Sequence, residues 1–508
     1  MSVSVNETEA KYEADLETVL PPLDDLPQVA ETASPPAKML EAVYYDTPDL
    51  RLLRAGITLR RRTGGDDAGW HLKLPVAGRT REEIRLPLES PPGPQAVPSE
   101  LTGLVLARSR GAALAPVATV STRRQTVNLL DAAGRVLAEV ADDRVSAHRQ
   151  QDPAAADSWR EVEVELAEGD SALLMAVDDV LRQHGLHPSG RSAKLERVLG
   201  SELPSRRPAA EPTAGAPAHL VVTGYLAAQV DELVVLDPMV RRFRPDSVHR
   251  MRIATRRLRS TLRAFGAVLR RDATEHIAAE LKWLGDALGQ ERDAEVLASH
   301  LRGQQEQTDV AQLIGPVAAR IDAHFARSDS AARAAVLTAL DSERYTALLD
   351  GLDALIADPP LGPAGQEAAG PALTFAVART YARTRRRMRL ALATPAGHGR
   401  DVALHDARKA AKRARYAAEA VAPVAGSDAQ RFANRMKKVQ SVLGAYQDTV
   451  IARQLERNLG VAAHLAGENA FSYGMFYERD ACDARMLADV AAEIWRKSSR
   501  RRYRHWLG

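Results

Sequence analysis

The order of apolar and polar positions changes character once along the chain. Up to residue 202, short segments alternate with period two and are punctuated by Gly, Pro and Asp. VNETEAKYE, GITLRRR, WHLKLP, TREEIRLPL, TVSTRRQTVNLL, GRVLAEVADDRVSA and WREVEVEL are the clearest. Alternation of this kind sends residues i, i+2 and i+4 to one face and predicts strands of a mainly antiparallel domain. Amphipathic helices are predicted near 99–110 and 171–186. The number of strands predicts a closed barrel whose edges pair with each other. ELPSRRPAAEPTAGAPAH (202–219) has no periodicity and reads as a linker. Beyond it the apolar positions recur at helical spacing, with breaks at Pro/Gly clusters such as DPPLGPAGQEAAGP (358–371). The expected fold class is an α+β two-domain chain. An antiparallel β-barrel with flanking helices covers 1–202, a linker 203–217, and an all-α duplicated helical bundle 218–508.

The duplication is visible in the polar positions. HRMRIATRRLR (249–259) and HDARKAAKRAR (405–415) place His, Arg, Arg/Lys and Arg at the same offsets. On a helix those offsets share about 80° of arc, so each set forms one basic stripe. Behind each stripe, LKWLGDALGQERDAEVL (281–297) aligns with MKKVQSVLGAYQDTVIA (436–452), keeping Lys, Leu-Gly and Asp in register. A repeat of this length predicts a duplicated helical unit. Two facing basic stripes make a site for a polyanion.

Composition sharpens this picture. The 508 residues carry a formal net charge of only +3, so the basic character is local. Residues 241–271 hold eleven Lys/Arg against Asp246, and residues 379–415 hold twelve against Asp401 and Asp406. The single cysteine, Cys482, rules out an internal disulfide framework and fits a reducing compartment. No apolar run approaches the ~20 residues that span a bilayer. The first residues show neither a basic n-region nor an apolar h-region, so no secretory signal is expected. The expectation is a cytoplasmic protein. Oligomeric state is left open.

In the β-half the same-face residues are charged. Glu7, Glu9, Lys11 and Glu13 share a face, as do Thr58, Arg60 and Arg62, then His71 and Lys73, then Arg81, Glu83 and Arg85. Later strands give Glu139 with Asp143, and Glu161, Glu163 with Glu165. Acids dominate the first and late strands and bases the middle ones. A barrel with these faces inward carries carboxylates on one wall, which suit hard divalent cations. The other wall carries Arg and Lys, which suit phosphate oxygens. So many buried charges are tolerable only if metal, substrate and water pair them.

The ordered set resembles the CYTH domain, the triphosphate tunnel metalloenzymes. It comprises ETEAK at 7–11 (the ExExK signature), YYDTPDLRL at 44–52, LRRR at 59–62, HLK at 71–73, Arg81 with Glu83, and Thr122–Arg123. Asp142–Asp143, EVEVEL at 161–166 and SAKLER at 192–197 complete it. Residues 218–508 resemble the CHAD domain through the doubled HxxRxxx[RK]R motif. The first resemblance implies divalent metal, Mg²⁺ or Mn²⁺, held by Glu7, Glu9 and two of Glu161, Glu163 and Glu165. Spacing to Gly169 favours Glu163 and Glu165. It implies triphosphate binding by Arg60, Arg62, Lys73, Arg81 and Arg123, with Lys11 and Lys194 as further contacts, and Lys11, Glu7 and Glu9 as catalytic residues. Asp143 is expected to orient a basic side chain or a water, and His71 to line the tunnel without a catalytic role.

The second resemblance implies binding of inorganic polyphosphate, as chains or granules. The contacts would be His249, Arg252, Arg256, Arg257, Arg259, His405, Arg408, Lys412, Arg413 and Arg415, with Lys282, Lys437 and Lys438 behind them. Nucleic acid stays open as a rival ligand, although the basic helices lack interleaved aromatics. Together the resemblances imply metal-dependent hydrolysis of inorganic triphosphate or a related substrate. Adenylyl cyclase activity, thiamine-triphosphatase activity and a non-enzymatic polyphosphate scaffold are the alternatives.

Overall fold

A computed structural model describes residues 3–26, 28–77, 80–88, 96–191, 193–203 and 212–508. The chain divides into two compact units, Met1–Pro208 and Ala209–Gly508. Residues 204–211 of the expected linker lie outside the described residues. The linker's last residues are docked on the helical unit: Ala369 N donates to Ala216 O at 2.8 Å, and Gly370 N to Ala214 O at 2.8 Å.

The first unit contains β1 (Val3–Ala14), β2 (Glu31–Ala33), β3 (Lys38–Asp46), β4 (Thr58–Thr63), β5 (Gly69–Ala77), β6 (Thr80–Pro87), β7 (Ala115–Leu130), β8 (Val136–Arg149), β9 (Asp152–Leu166) and β10 (His187–Pro188). Its helices are α1 (Arg51–Arg54), α2 (Ser99–Ser109), α3 (Ser171–Gln183) and α4 (Lys194–Leu199). The order β1-β6-β5-β4-β3-β7-β8-β9, with β9 returning to β1, closes an eight-stranded antiparallel barrel. β2 adds to β7, and β10 to β1.

The alternation read from sequence fixes which face goes where. Outward-facing Leu59, Leu72, Leu74 and Ile84 pack with Leu101 and Val105 of α2. Outward-facing Ala10, Tyr12, Val140, Val162 and Val164 pack with Leu173, Val177 and Leu181 of α3. Each Val, Leu or Ile among them contributes about 1.5–3 kcal/mol when fully buried. Two helix-covered apolar jackets therefore stabilise a barrel whose interior is left to polar groups. Asp170 caps α3, accepting from Ala172 N and Leu173 N at 3.0 Å each. In a third apolar cluster, Leu195, Val198 and Leu199 of α4 pack against Tyr44, Val120, Val145 and Trp159.

The second unit contains α5 (Ala218–Arg241), α6 (Ser247–Ala264), α7 (Arg271–Glu306), α8 (Val317–Leu340), α9 (Glu343–Ala357), α10 (Ala369–Ala393), α11 (His398–Leu465) and α12 (Phe471–Ser498). α11 is two helices joined at Gly426, whose φ of 62° and ψ of −146° suit only glycine. Pro423 precedes this break. The first part of α11 packs beside α6, as the duplicated stripes require. α5 differs from the sequence expectation. By length and composition it could cross a membrane, with a mean hydropathy of 1.3 over its best window. In the fold it is a core helix, with Leu226, Leu233, Leu236 and Val240 buried and its buried Asp237 paired to Arg241 at 2.7 Å.

Candidate active site and polyanion cavity

Inside the barrel, β1, β4, β5, β6, β7 and β9 bring Glu7, Glu9, Lys11, Arg60, Arg62, Lys73, Arg81, Glu83, Arg124, Glu163 and Glu165 around one cavity, with Lys194 from α4. Only about 50 Å³ of free space remains, because the side chains close on one another. Lys73 Nζ lies 2.5 Å from Glu7 and 3.8 Å from Glu83. Arg85 Nη2 donates to Glu7 at 2.7 Å. Lys11 pairs with Glu163, and with Glu9 at 3.3 Å. Arg124 grips Asp143 through Nε at 2.8 Å and Nη2 at 2.6 Å, and also reaches Glu163 at 2.7 Å.

Three carboxylates surround one ammonium. Lys194 Nζ lies 2.9 Å from Asp143, 2.7 Å from Glu161 and 2.9 Å from Glu163. These acids form a tight group able to ligate a cation, and the cation they face is Lys194. Burial opposes charge on Lys194, but Asp143, Glu163 and Glu161 overcome it and hold its ammonium well above its usual range. Burial likewise opposes the charge on Glu163, which Lys11, Lys194 and Arg124 hold well below the usual carboxylate range.

The other end of the acidic wall is different. Glu9 on β1 lies directly opposite Glu165 on β9, with Glu7 on the same face of β1. Among the described residues no Lys or Arg nitrogen lies within ion-pair distance of Glu165. Burial, then the neighbouring Glu7, pushes its carboxyl up to about 7, with Lys73 acting against them. Burial also dominates at Glu7, whose carboxyl is raised despite Lys73. At Glu9 burial opposes charge, but Lys11 and Lys73 hold its carboxyl below the usual range. Three carboxylates gathered in this way form a donor set that suits a divalent cation. Glu7, Glu9 and Glu165 therefore fit a metal.

The structure distributes the sequence-derived candidates unevenly. Glu7, Glu9, Lys11, Arg60, Arg62, Lys73, Arg81, Glu163, Glu165 and Lys194 line the cavity. Glu161 lies off that lining, held by Lys194 and by Trp159 Nε1 at 2.6 Å. Arg123 differs from expectation. It is exposed, paired in register with Met39 and Arg144, which also face out, and the guanidinium inside the barrel is that of Arg124. Glu139 shares the face of Asp143 yet is exposed. Sequence reasoning gave no site role to Glu83, a buried hub that meets His71 Nδ1 at 3.0 Å and Arg60 at 3.7 Å. Its signal was its place two residues after Arg81. His71 is buried, its other ring nitrogen on Asp67 O at 2.9 Å. Burial, against the Glu83 contact, holds its pKa down at about 4, while both ring nitrogens face acceptor oxygens. The motif residue Ser192 lies outside the described residues.

In the helical unit the two stripes face a common cavity of about 560 Å³. Arg252, Arg256 and Arg259 enter from α6, and His405, Arg408, Lys412 and Arg413 from α11. Arg263, Lys409, and Arg383 and Arg387 of α10 add to it, so ten Lys and Arg side chains and His405 share the lining with two acids, Asp286 and Asp406, and Arg252 also pairs with Asp293 at 2.8 Å. The repeat is geometric as well as sequential. Arg252 lies against Gly289 and Arg408 against Gly444, each with a guanidinium nitrogen 3.4 Å from where a Cβ would stand. Burial, then Arg256, Arg408 and Arg252, depresses Lys412 to about 6. Arg408 and Arg413 are lowered in the same sense, chiefly by burial. A cavity that suppresses its own charge is one that an anion would stabilise.

Several named cations lie elsewhere. Arg257 and Arg415 both pair with Glu419, at 3.3 Å and 2.7 Å, and both lie over the Tyr416 ring. Lys282 is exposed and bound to Asp286 at 2.5 Å, while Lys437 and Lys438 are exposed. His249 lines a separate cavity of mixed charge, with Glu291, Arg302 and Asp322. Its repeat partner His405 faces the basic one, with Nδ1 3.0 Å from Gln447 Oε1.

The chain matches the CYTH domain family over residues 7–193 and the CHAD domain family over 224–457. It is 37% identical over 489 residues to Uncharacterized protein Rv2226 of Mycobacterium tuberculosis, covering 94% of this chain and 93% of that protein. Among solved structures, PptA from Streptomyces chartreusis aligns at 22% identity and a TM-score of 0.46, covering 56% of this chain and 99% of that one. The CHAD domain from Ricinus communis aligns at 23% identity and a TM-score of 0.46, covering 57% and 96%. CYTH domains are metal-dependent triphosphate tunnel enzymes, and CHAD domains are linked to polyphosphate. With a full-length relative at this identity and both domain families in order, the chain belongs to the proteins that join a CYTH domain to a CHAD domain.

Proposed function

We propose that this protein hydrolyses inorganic triphosphate, or a closely related triphosphorylated substrate, in the barrel, and that its helical unit binds inorganic polyphosphate. The observation that carries the first part is the opposition of two walls: Glu7, Glu9 and Glu165 against Arg60, Arg62, Lys73, Arg81 and Arg124. Mg²⁺ or Mn²⁺ on the three carboxylates would supply charge neutralisation and a water of lowered pKa. The basic side chains would exchange their carboxylate partners for phosphate oxygens. Glu163 and Asp143 would keep Lys11, Lys194 and Arg124 charged and aimed during that exchange. Phosphoryl transfer asks mainly for positioning and electrostatics, which a preorganised charged tunnel provides. The basic cavity of the helical unit supports the second part. It offers many cations and no aromatic platform, which suits a bare phosphate chain over stacked bases.

In this reading residues 1–202 are the catalytic domain, 203–217 the linker and 218–508 the tether, acting in the cytoplasm or at polyphosphate granules. The test is phosphate release with Mg²⁺ from triphosphate, ATP and thiamine triphosphate, beside retention of long-chain polyphosphate. Release from triphosphate that fails in Glu165→Gln supports the reading. Cyclic AMP from ATP without phosphate release overturns it.

A further inference from the structure

A second group of potential ligands lies in the helical unit, outside the lining of the basic cavity. His300 and Gln304 stand one turn apart on α7, Glu456 on α11 and Asp480 on α12. Glu456 and Asp480 are fully buried, Gln304 is 5% exposed, and the His300 side chain is 32% exposed. His300 Nε2 lies 2.9 Å and 3.1 Å from the two oxygens of Asp480. One ligand atom from each of His300, Glu456 and Asp480 lies within 4.8 Å of the others. Around a metal at ~2.0–2.2 Å, ligand atoms stand roughly 3–3.5 Å apart, so small adjustments close this set on an ion.

Two features show that the cluster is not complete in itself. Two fully buried carboxyls, Glu456 and Asp480, face a single imidazole. Glu456 Oε2 and Gln304 Oε1 are both buried and lack any hydrogen-bond partner among the described residues. The Gln304 amide points its nitrogen at His300 Nε2, 3.3 Å away, and at Glu456 Oε1, also 3.3 Å away. Turning that amide over would bring a fourth oxygen towards the same point.

We infer that His300, Glu456 and Asp480 form a divalent transition-metal site, with Gln304 as the adjoining oxygen donor. One imidazole and two carboxylates suit Zn²⁺, Co²⁺ or Mn²⁺ better than Mg²⁺, because nitrogen ligation favours the softer ions. The ion would tie α7, α11 and α12 together beside the apolar cluster of Leu301, Tyr473 and Phe476. The half-exposed imidazole provides a route of entry. This site is independent of the tunnel and of the proposed activity.

The test is equilibrium dialysis of the chelator-treated full chain against Zn²⁺ and against Co²⁺, with elemental analysis and visible spectroscopy of the cobalt form. Wild type should hold one more equivalent of Zn²⁺ per chain than Asp480→Asn, while Glu165→Gln keeps that equivalent. The cobalt bands should vanish in Asp480→Asn. If Asp480→Asn does not fold, His300→Gln makes the same comparison at a partly exposed position, with far-UV circular dichroism as the control. Equal zinc content and equal cobalt spectra in wild type and folded variant would overturn the inference, leaving a proton-bridged network that only joins the three helices.

Discussion

Glu165 and Arg124 hold the two walls of the barrel cavity. Glu165 is half-buried opposite Glu9, with its carboxyl pushed up to about 7 by desolvation and by Glu7. As pH falls through 7 it protonates, and a protonated carboxyl is a poor metal ligand. Divalent-ion affinity should therefore fall as the pH drops from 8 to 6, and more Mg²⁺ should be needed for half-maximal phosphate release. In Glu165→Gln that pH dependence should disappear and the rate should fall by about 10²-fold or more. Arg124→Ala should lower phosphate release by about 10²-fold, whereas Arg123→Ala should leave it near wild type. Steady-state rates of the two variants side by side check this directly. Two adjacent arginines are equivalent in the sequence. Only the register of β7 against β3 and β8 decides which one enters the barrel, and a shift of one residue exchanges them.

Elements carry the next set of consequences. On the α6–α11 pair, Lys412 is held near 6 by burial and by Arg256, Arg408 and Arg252, so it is mostly neutral above that pH. A bound polyanion favours its charged form, so binding above pH 6 takes up a proton. Affinity for polyphosphate should fall as pH rises from 6 to 8, by up to about tenfold per unit, and Lys412→Met should flatten the curve in a titration series. The repeat predicts similar losses from Arg252→Ala and Arg408→Ala, each resting on its own glycine. It does not extend to Arg259 and Arg415. Four residues on, Arg259 meets Arg263 and so stays turned to the cavity, while Arg415 meets Glu419 and is drawn aside. That difference stands in the sequence as one Arg against one Glu.

The barrel's strands were legible wherever charged and apolar residues alternate cleanly, as in β4, β5, β6 and β9. β3 was legible only as a motif, because buried Tyr44 and Tyr45 interrupt its alternation. α4 is a six-residue helix held by its contacts, which local propensity does not reveal. Leu195→Ala should lower the stability of the barrel unit by about 2–5 kcal/mol, read from denaturant unfolding.

For the whole molecule, the proposed function joins a tunnel for short phosphate chains to a cavity for long ones. Such tethering would raise the local concentration of substrate without any new contact at the tunnel. Retention on long-chain polyphosphate should weaken steeply with salt, because the contacts are charge to charge. Barrel closure and the helical duplication were both readable in sequence, the first from the number of alternating strands and the second from motifs repeated at matching offsets. The pairing of Lys194 with three carboxylates was not, since it joins residues about 30 to 50 positions apart through a short helix. The most direct measurement is phosphate release from inorganic triphosphate by the purified full-length protein with Mg²⁺, with Glu7→Ala assayed beside it. The account predicts rapid release by the wild type and none above background by the variant. Release that is absent from the wild type, or unchanged in Glu7→Ala, would contradict it.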